Sequence, residues 1–137
     1  MSLADEMSAL LAAFYGSLES GDSSALEESF APDLLIIGTD EAEWWRGKDE
    51  AQRVVRAQIN EMKSAGVRFT AGEPNIVVKG DVVWAADRPT VQLGDGTTTQ
   101  MRLTAVAVRE GNGLMLYQLH ASVGAPNEEV IKQELTL

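Results

Sequence analysis

Apolar residues at Leu3, Met7, Leu10, Leu11, Phe14 and Leu18 recur three and four apart, so the chain opens on a helix with one apolar face. Ser20-Gly21 ends it, glycine being suited to a left-handed C-terminal cap. Asp22 offers an N-cap to a short second helix, Ser23 to Phe30, which buries Leu26 and Phe30 and stops at Pro32. Leu34-Leu35-Ile36-Ile37 is a continuous apolar run that reads as a strand covered on both sides. Gly47 opens a third helix through about Met62, with Ala51, Val54, Val55, Gln58, Ile59 and Met62 as its inner stripe.

After Gly66 the period changes from that of helices to that of strands. Val67 to Lys79 reads as one strand interrupted near Gly72-Glu73-Pro74, Lys79-Gly80-Asp81 as a tight turn, and Asp81 to about Leu93 as the returning strand. Two alternating runs, Met101 to Arg109 and Leu114 to Val123, flank Gly111-Asn112-Gly113 and predict a hairpin. A short last helix is expected over Val130 to Leu135. Three helices followed by antiparallel strands predict an α+β fold in which the helices lie on the concave face of a curved antiparallel sheet. Such a cone encloses a space where a site can sit.

At 137 residues the chain suits one domain, 1–137, with its own core. A net charge of −10, from 21 acidic and 11 basic residues, argues against a nucleic-acid or anionic membrane partner. Without cysteine there are no disulfides or thiolate metal sites, and with one histidine a zinc site is not expected. No run approaches the roughly 20 apolar residues of a membrane-spanning helix, and no basic leader is evident, so a cytoplasmic location is expected. No phosphate-cradling loop, nucleophile elbow or dinucleotide fingerprint is present, and no cofactor is expected.

Strand alternation puts Arg102, Thr104, Val106 and Val108 on one face of the first hairpin run and Leu116, Gln118, His120 and Ser122 on one face of the second. If those faces coincide, Arg102, Thr104, Gln118, His120 and Ser122 form one polar wall. Arg102 is costly to bury alone, so an inward Arg102 needs a carboxylate such as Asp40, Glu73 or Asp87, or a ligand's anion. Facing out, it meets solvent or a second subunit. His120 titrates near neutrality and suits proton transfer, or it is a core histidine satisfied by Gln118, Ser122 or Arg102. Asp40 is a general base if the cavity desolvates it, and otherwise part of a solvated acidic loop with Glu41 and Glu43. Of Trp44 and Trp45, one is expected in the core and the other at a cavity mouth. Trp84 reads as core or interface packing, and Asp87-Arg88 as a solvated pair.

Five pieces together resemble a SnoaL-like domain of the NTF2-like, or ketosteroid-isomerase-like, superfamily. They are Gly21-Asp22 before Ala25-Leu26, the Phe30-Ala31-Pro32-Asp33 exit, Trp45-Arg46-Gly47-Lys48, Arg102-x-Thr104, and His120-x-Ser122. The resemblance implies an NTF2-like, cystatin-like cone with a pocket between helices and sheet, and a homodimer through the outer face of the sheet. Steroid isomerases of this superfamily use an aspartate base, a tyrosine and a protonated aspartic acid. Aligned without gaps, those positions fall on Gly38, Phe14 and Ala105, so steroid isomerisation is not carried over. The last strand is also similar to that of calcium/calmodulin-dependent kinase association domains, with a histidine and a serine before Gly124-Ala125-Pro126.

The expectation is therefore a domain that binds a small organic carbonyl or carboxylate compound. If it is an enzyme, it is a cofactor-free isomerase or lyase with His120, Arg102 and Asp40 as catalytic candidates. Tyr15, Trp45, Gln118, Thr104 and Ser122 would then bind ligand. The alternative is a non-catalytic binding or association module whose polar wall is structural.

Overall fold

Helix α1 (Leu3–Ser20) realises the first apolar stripe in a computed structural model that describes residues 1–137. Its start is a capping box: the Asp5 N–H donates to Ser2 Oγ at 3.1 Å, and the Ser2 N–H reaches the Asp5 carboxylate. Gly21, at φ 78°, supplies the left-handed cap at its end.

Helix α2 (Ser24–Glu27) is shorter than predicted, and Phe30 opens strand β1 (Phe30–Ile37) instead of closing the helix. Pro32 explains the difference, because it drives Ala31 into extended backbone and so ends the helix earlier. Pro32 lies within β1 where the pairing register shifts between Phe30 and Leu35, which tolerates a residue without an N–H. Strand β2 (Trp44–Arg46) then leads into helix α3 (Lys48–Ser64), whose buried stripe is Ala51, Val54, Val55 and Ile59.

The expected interruption at Gly72-Glu73-Pro74 separates β3 (Arg68–Thr70) from β4 (Asn75–Lys79), and Arg88-Pro89 separates β5 (Val82–Asp87) from β6 (Thr90–Gln92). The last strands are β7 (Thr98–Gln100), β8 (Arg102–Glu110) and β9 (Gly113–Ser122), followed by helix α4 (Asn127–Ile131). Six strands form one sheet in the order β2-β1-β9-β8-β5-β4, and β3-β6-β7 form a second. At both breaks the chain passes from one sheet to the other, which the sequence pattern did not predict. The sheets are antiparallel except where β1 lies parallel to β9.

The core lies between α1, α3 and the inner face of the larger sheet, where Leu18, Leu34, Leu103 and Leu116 are fully enclosed. Each such side chain contributes about 1.5–3 kcal/mol by leaving water. Around this core, the Arg56 guanidinium on α3 holds the buried Glu27 carboxylate of α2, with Nη2 2.6 Å from Oε1. Lys63 donates to the Ser20 carbonyl at 2.9 Å and ties α3 to the end of α1. No helix is long and apolar enough to cross a membrane.

Candidate functional site

Between α1, α3, the β1–β2 connection and the inner side of β9 lies a cavity of about 220 Å3. Twelve of its sixteen lining residues are hydrophobic, so apolar matter is what it can hold. Phe14 comes from α1, Val55 and Met62 from α3, Trp45 from β2, Phe69 from β3 and Leu119 from β9. Strand period two aims Trp45 inward and Trp44 outward, where Trp44 is 52% exposed beneath the Arg46 guanidinium.

The polar lining, Thr39, Glu43 and Gln58, gathers at the β1–β2 end. Gln58 Nε2 donates to Glu43 Oε2 at 2.6 Å, and the Asp40 N–H donates to Glu43 Oε1 at 2.7 Å. One lone pair of each oxygen is thus engaged while the carboxylate stays at the cavity. Gly38 makes this possible: a Cβ there would stand 2.7 Å from Glu43 Oε1 and 2.8 Å from Glu43 Cβ. Glu43 therefore fills the space that a side chain at position 38 would occupy.

Sequence reasoning placed Glu43 in a solvated acidic loop and missed it. The available signal was spacing: Glu43 and Trp45 are two apart on an extended segment and share a face.

Arg102, Thr104, Gln118, His120 and Ser122 do share one wall, Ser122 standing opposite Arg102, His120 opposite Thr104 and Gln118 opposite Val106. That wall is the outer face of the sheet, and none of the five lines the apolar cavity; Leu116, expected on the same face, is instead buried, because the register shift between Val106 and Ala107 leaves Tyr117 unpaired and turns Leu116 inward. Of the two placements left open for Arg102, the outward one is thus taken. Alternation forces a choice between burying Arg102 and Thr104 or burying Leu103, Ala105 and Ala107. An unpaired guanidinium costs several kcal/mol to desolvate, whereas Leu103 gains about 1.5–3 kcal/mol.

Asp40 is exposed and accepts the Ala42 N–H at 2.8 Å, shaping the loop that presents Glu43. Tyr15 is buried but does not line the cavity. Its ring stacks on Phe69 at 6.2 Å and meets Phe14 edge-on, so it supports two lining residues from behind. Its hydroxyl donates to Asp87 Oδ2 at 2.7 Å. Asp87 is 5% exposed and is no solvated partner for the Arg88 side chain. It also accepts the backbone N–H groups of Gly72 and Arg88. Of the expected site residues, Trp45 alone lines the apolar cavity. No three or more histidine, aspartate or glutamate side chains converge where they could hold a metal ion.

A fold likeness runs through nearly the whole chain. An NTF2-like protein of unknown function from Pseudomonas putida superposes with a TM-score of 0.79 at 20% identity, covering 98% of this chain and 96% of that one. A candidate calcium/calmodulin-dependent protein kinase type II association domain from Thiobacillus denitrificans gives 0.72 at 20% identity, with 86% and 94% covered. A candidate ketosteroid isomerase from Shewanella frigidimarina gives 0.67 at 16% identity, with 83% and 92% covered. At these identities the likeness shows the NTF2-like, cystatin-like fold and nothing of activity. No curated protein matches the sequence. The family model described as a SnoaL-like domain matches residues 7–126, from the second turn of α1 to just beyond the last strand, and the chain belongs to the SnoaL-like domain family.

Proposed function

We propose that the chain binds a small, largely apolar carbonyl compound in the cavity between helices and sheet, and that Glu43 moves a proton on it. The observation that carries this reading is one carboxylate, held by Gln58 and the Asp40 N–H, at the edge of an otherwise apolar cavity. At about 220 Å3 the space falls below the ~300–1,000 Å3 of drug-sized sites, which favours a single-ring ligand. In the gapless alignment Gly38 falls where steroid isomerases of this superfamily carry their base, and the Glu43 carboxylate occupies the space that a side chain at Gly38 would take. The reaction class is a cofactor-free isomerisation or lyase-type proton transfer, with Glu43 taking a proton from carbon beside the carbonyl.

The test uses Trp45 as reporter in a Trp44→Phe/Trp84→Phe background, titrated with cyclic enones. Saturable quenching is expected. Exchange of the protons beside the carbonyl in D2O, followed by NMR, is expected in the wild type and absent in Glu43→Gln. Quenching that never saturates would sink the binding reading, and exchange that survives Glu43→Gln would sink the assignment of the base.

A second reading, association of two copies through the sheet, is supported by the outer face. Trp84 is 38% exposed there, flanked across the ladder by Val77 and Val106. Sedimentation equilibrium would test it: a dimer that Trp84→Lys dissociates is expected, and a wild-type monomer at all concentrations would end that reading.

A further inference from the structure

Asp87 pairs with Leu103 and Thr90 with Gln100, while the Met101 N–H donates to the Pro89 carbonyl at 3.0 Å. The register therefore runs through the bend unbroken and sets Arg88 directly opposite Arg102. Both are exposed. Like charges directly opposite on paired strands repel, and this chain has nearly two acidic residues for each basic one with which to neutralise them. It does not do so. Its three ion pairs are Arg56–Glu27, Arg68–Glu19 and Arg109–Glu6, and neither Arg88 nor Arg102 has a carboxylate within 4.0 Å. The neighbouring Asp87 is turned inward and engaged by Tyr15, Gly72 and the Arg88 N–H.

Arg88 and Arg102 line one open cleft of about 550 Å3, with Gln100, Asn75 and Thr104 as further polar residues and Glu73 and the inward-turned Asp87 also on its wall. Arg102 also reaches an adjoining cleft of about 250 Å3, which it shares with Arg88, Gln100 and Gly124. Its Nη2 would be 2.3 Å, and its Cζ 3.2 Å, from a Cβ at Gly124, so the guanidinium rests against bare backbone. Guanidiniums present fixed forks of N–H donors that match the oxygens of carboxylate and phosphate.

We infer that Arg88 and Arg102 form an oxyanion-binding cleft on the outside of the domain, taking the carboxylate or phosphate group of a small molecule. The bound anion neutralises the opposed cations and removes their repulsion. This cleft is separate from the apolar cavity and stands whether or not that cavity binds a carbonyl compound.

Thermal unfolding at constant ionic strength tests it, with sodium chloride replaced stepwise by sodium phosphate or sodium succinate. A rise in Tm that becomes logarithmic in anion concentration is expected with at least one of them, and the lower concentration at which it sets in identifies the preferred head group. Arg88→Gln and Arg102→Gln should each raise that concentration at least tenfold. Each should also raise Tm in chloride alone, because the repulsion is gone. Arg68→Gln makes the same charge change elsewhere and should leave the concentration within twofold. In the unsubstituted protein, the Nε–Hε NMR signals of Arg88 and Arg102 should move together and saturate on phosphate addition. A rise that stays proportional to anion concentration reflects general salt exclusion and overturns the inference. So does a response unchanged in Arg88→Gln and Arg102→Gln, or one weakened equally by Arg68→Gln.

Discussion

The Tyr15 hydroxyl donates to Asp87 Oδ2 at 2.7 Å, joining helix α1 to the end of β5 across 72 residues of sequence. The bond is buried, and Asp87 sits where the chain leaves one sheet for the other. Tyr15→Phe keeps the ring stacked on Phe69 and removes one donor, leaving Asp87 with the N–H groups of Gly72 and Arg88. Loss of a hydrogen bond to a charged group should cost about 1.5–3 kcal/mol in urea unfolding. A loss within experimental error would mean that the bond does not hold the bend.

Both tyrosines of the chain should resist ionisation. Burial raises the Tyr15 phenol above its ordinary 10.0, helped by its bond to Asp87 and that carboxylate's charge. Tyr117 is raised first by its hydrogen bond to Glu110 and then by burial. Because the folded value for Tyr15 lies above the unfolded one, its stabilising effect is complete below pH 10 and declines as the pH climbs above it. In Tyr117→Phe, which leaves Tyr15 as the sole tyrosine, tyrosinate absorbance should therefore stay flat through pH 10 and rise together with loss of far-UV circular dichroism. A native-state titration at pH 10 would contradict this.

Glu27 provides the acid counterpart. Burial pushes its carboxyl up, but the Arg56 guanidinium and the Ser23 hydroxyl, 2.6 Å away, together outweigh burial and hold it below the ordinary 4.5. The stabilisation is present above that value and is lost as the pH falls through the lower, folded one. Glu27→Ala should cost about 1–2 kcal/mol at neutral pH, since the Arg56 side of the pair is solvated. Its Tm should also fall less steeply than that of the wild type on acidification below pH 4.5.

Gly38→Ala would drive a methyl group into Glu43, with clashes at Cβ as well as at the carboxylate. Destabilisation of about 1–3 kcal/mol is expected. Adding Glu43→Ala should relieve most of it, which a double-mutant cycle in urea would measure. Additive losses would show that the two side chains do not compete for this space.

Much of the architecture was legible because it rests on local rules. The stripe from Leu3 to Leu18, the left-handed Gly21 cap and the turn at Gly111-Asn112 each need only neighbours three to five residues away, and each stands close to where the pattern put it. The end of α2 was misplaced because Pro32 acts backward on Ala31 while Phe30 pairs with Leu116, a partner far along the chain. Nothing in Val67 to Leu93 by itself says that two halves of an apparent strand join different sheets.

The sequence by itself determined that Arg102, Thr104, His120 and Ser122 alternate together, because side-chain direction along a strand depends only on backbone geometry. It also determined, through the order of helices and strands, the α+β character of the fold. Which face of the sheet meets the helices was decided by the tertiary structure. That choice depends on the summed burial of Leu103, Ala105, Leu116 and Leu119 against α1 and α3 and on the cost of desolvating Arg102. The tertiary structure likewise turned Glu43 from one of several acidic loop residues into the carboxylate of an apolar cavity. Its partners Gly38 and Gln58 lie on a facing segment and on a helix, and only folding brings them together.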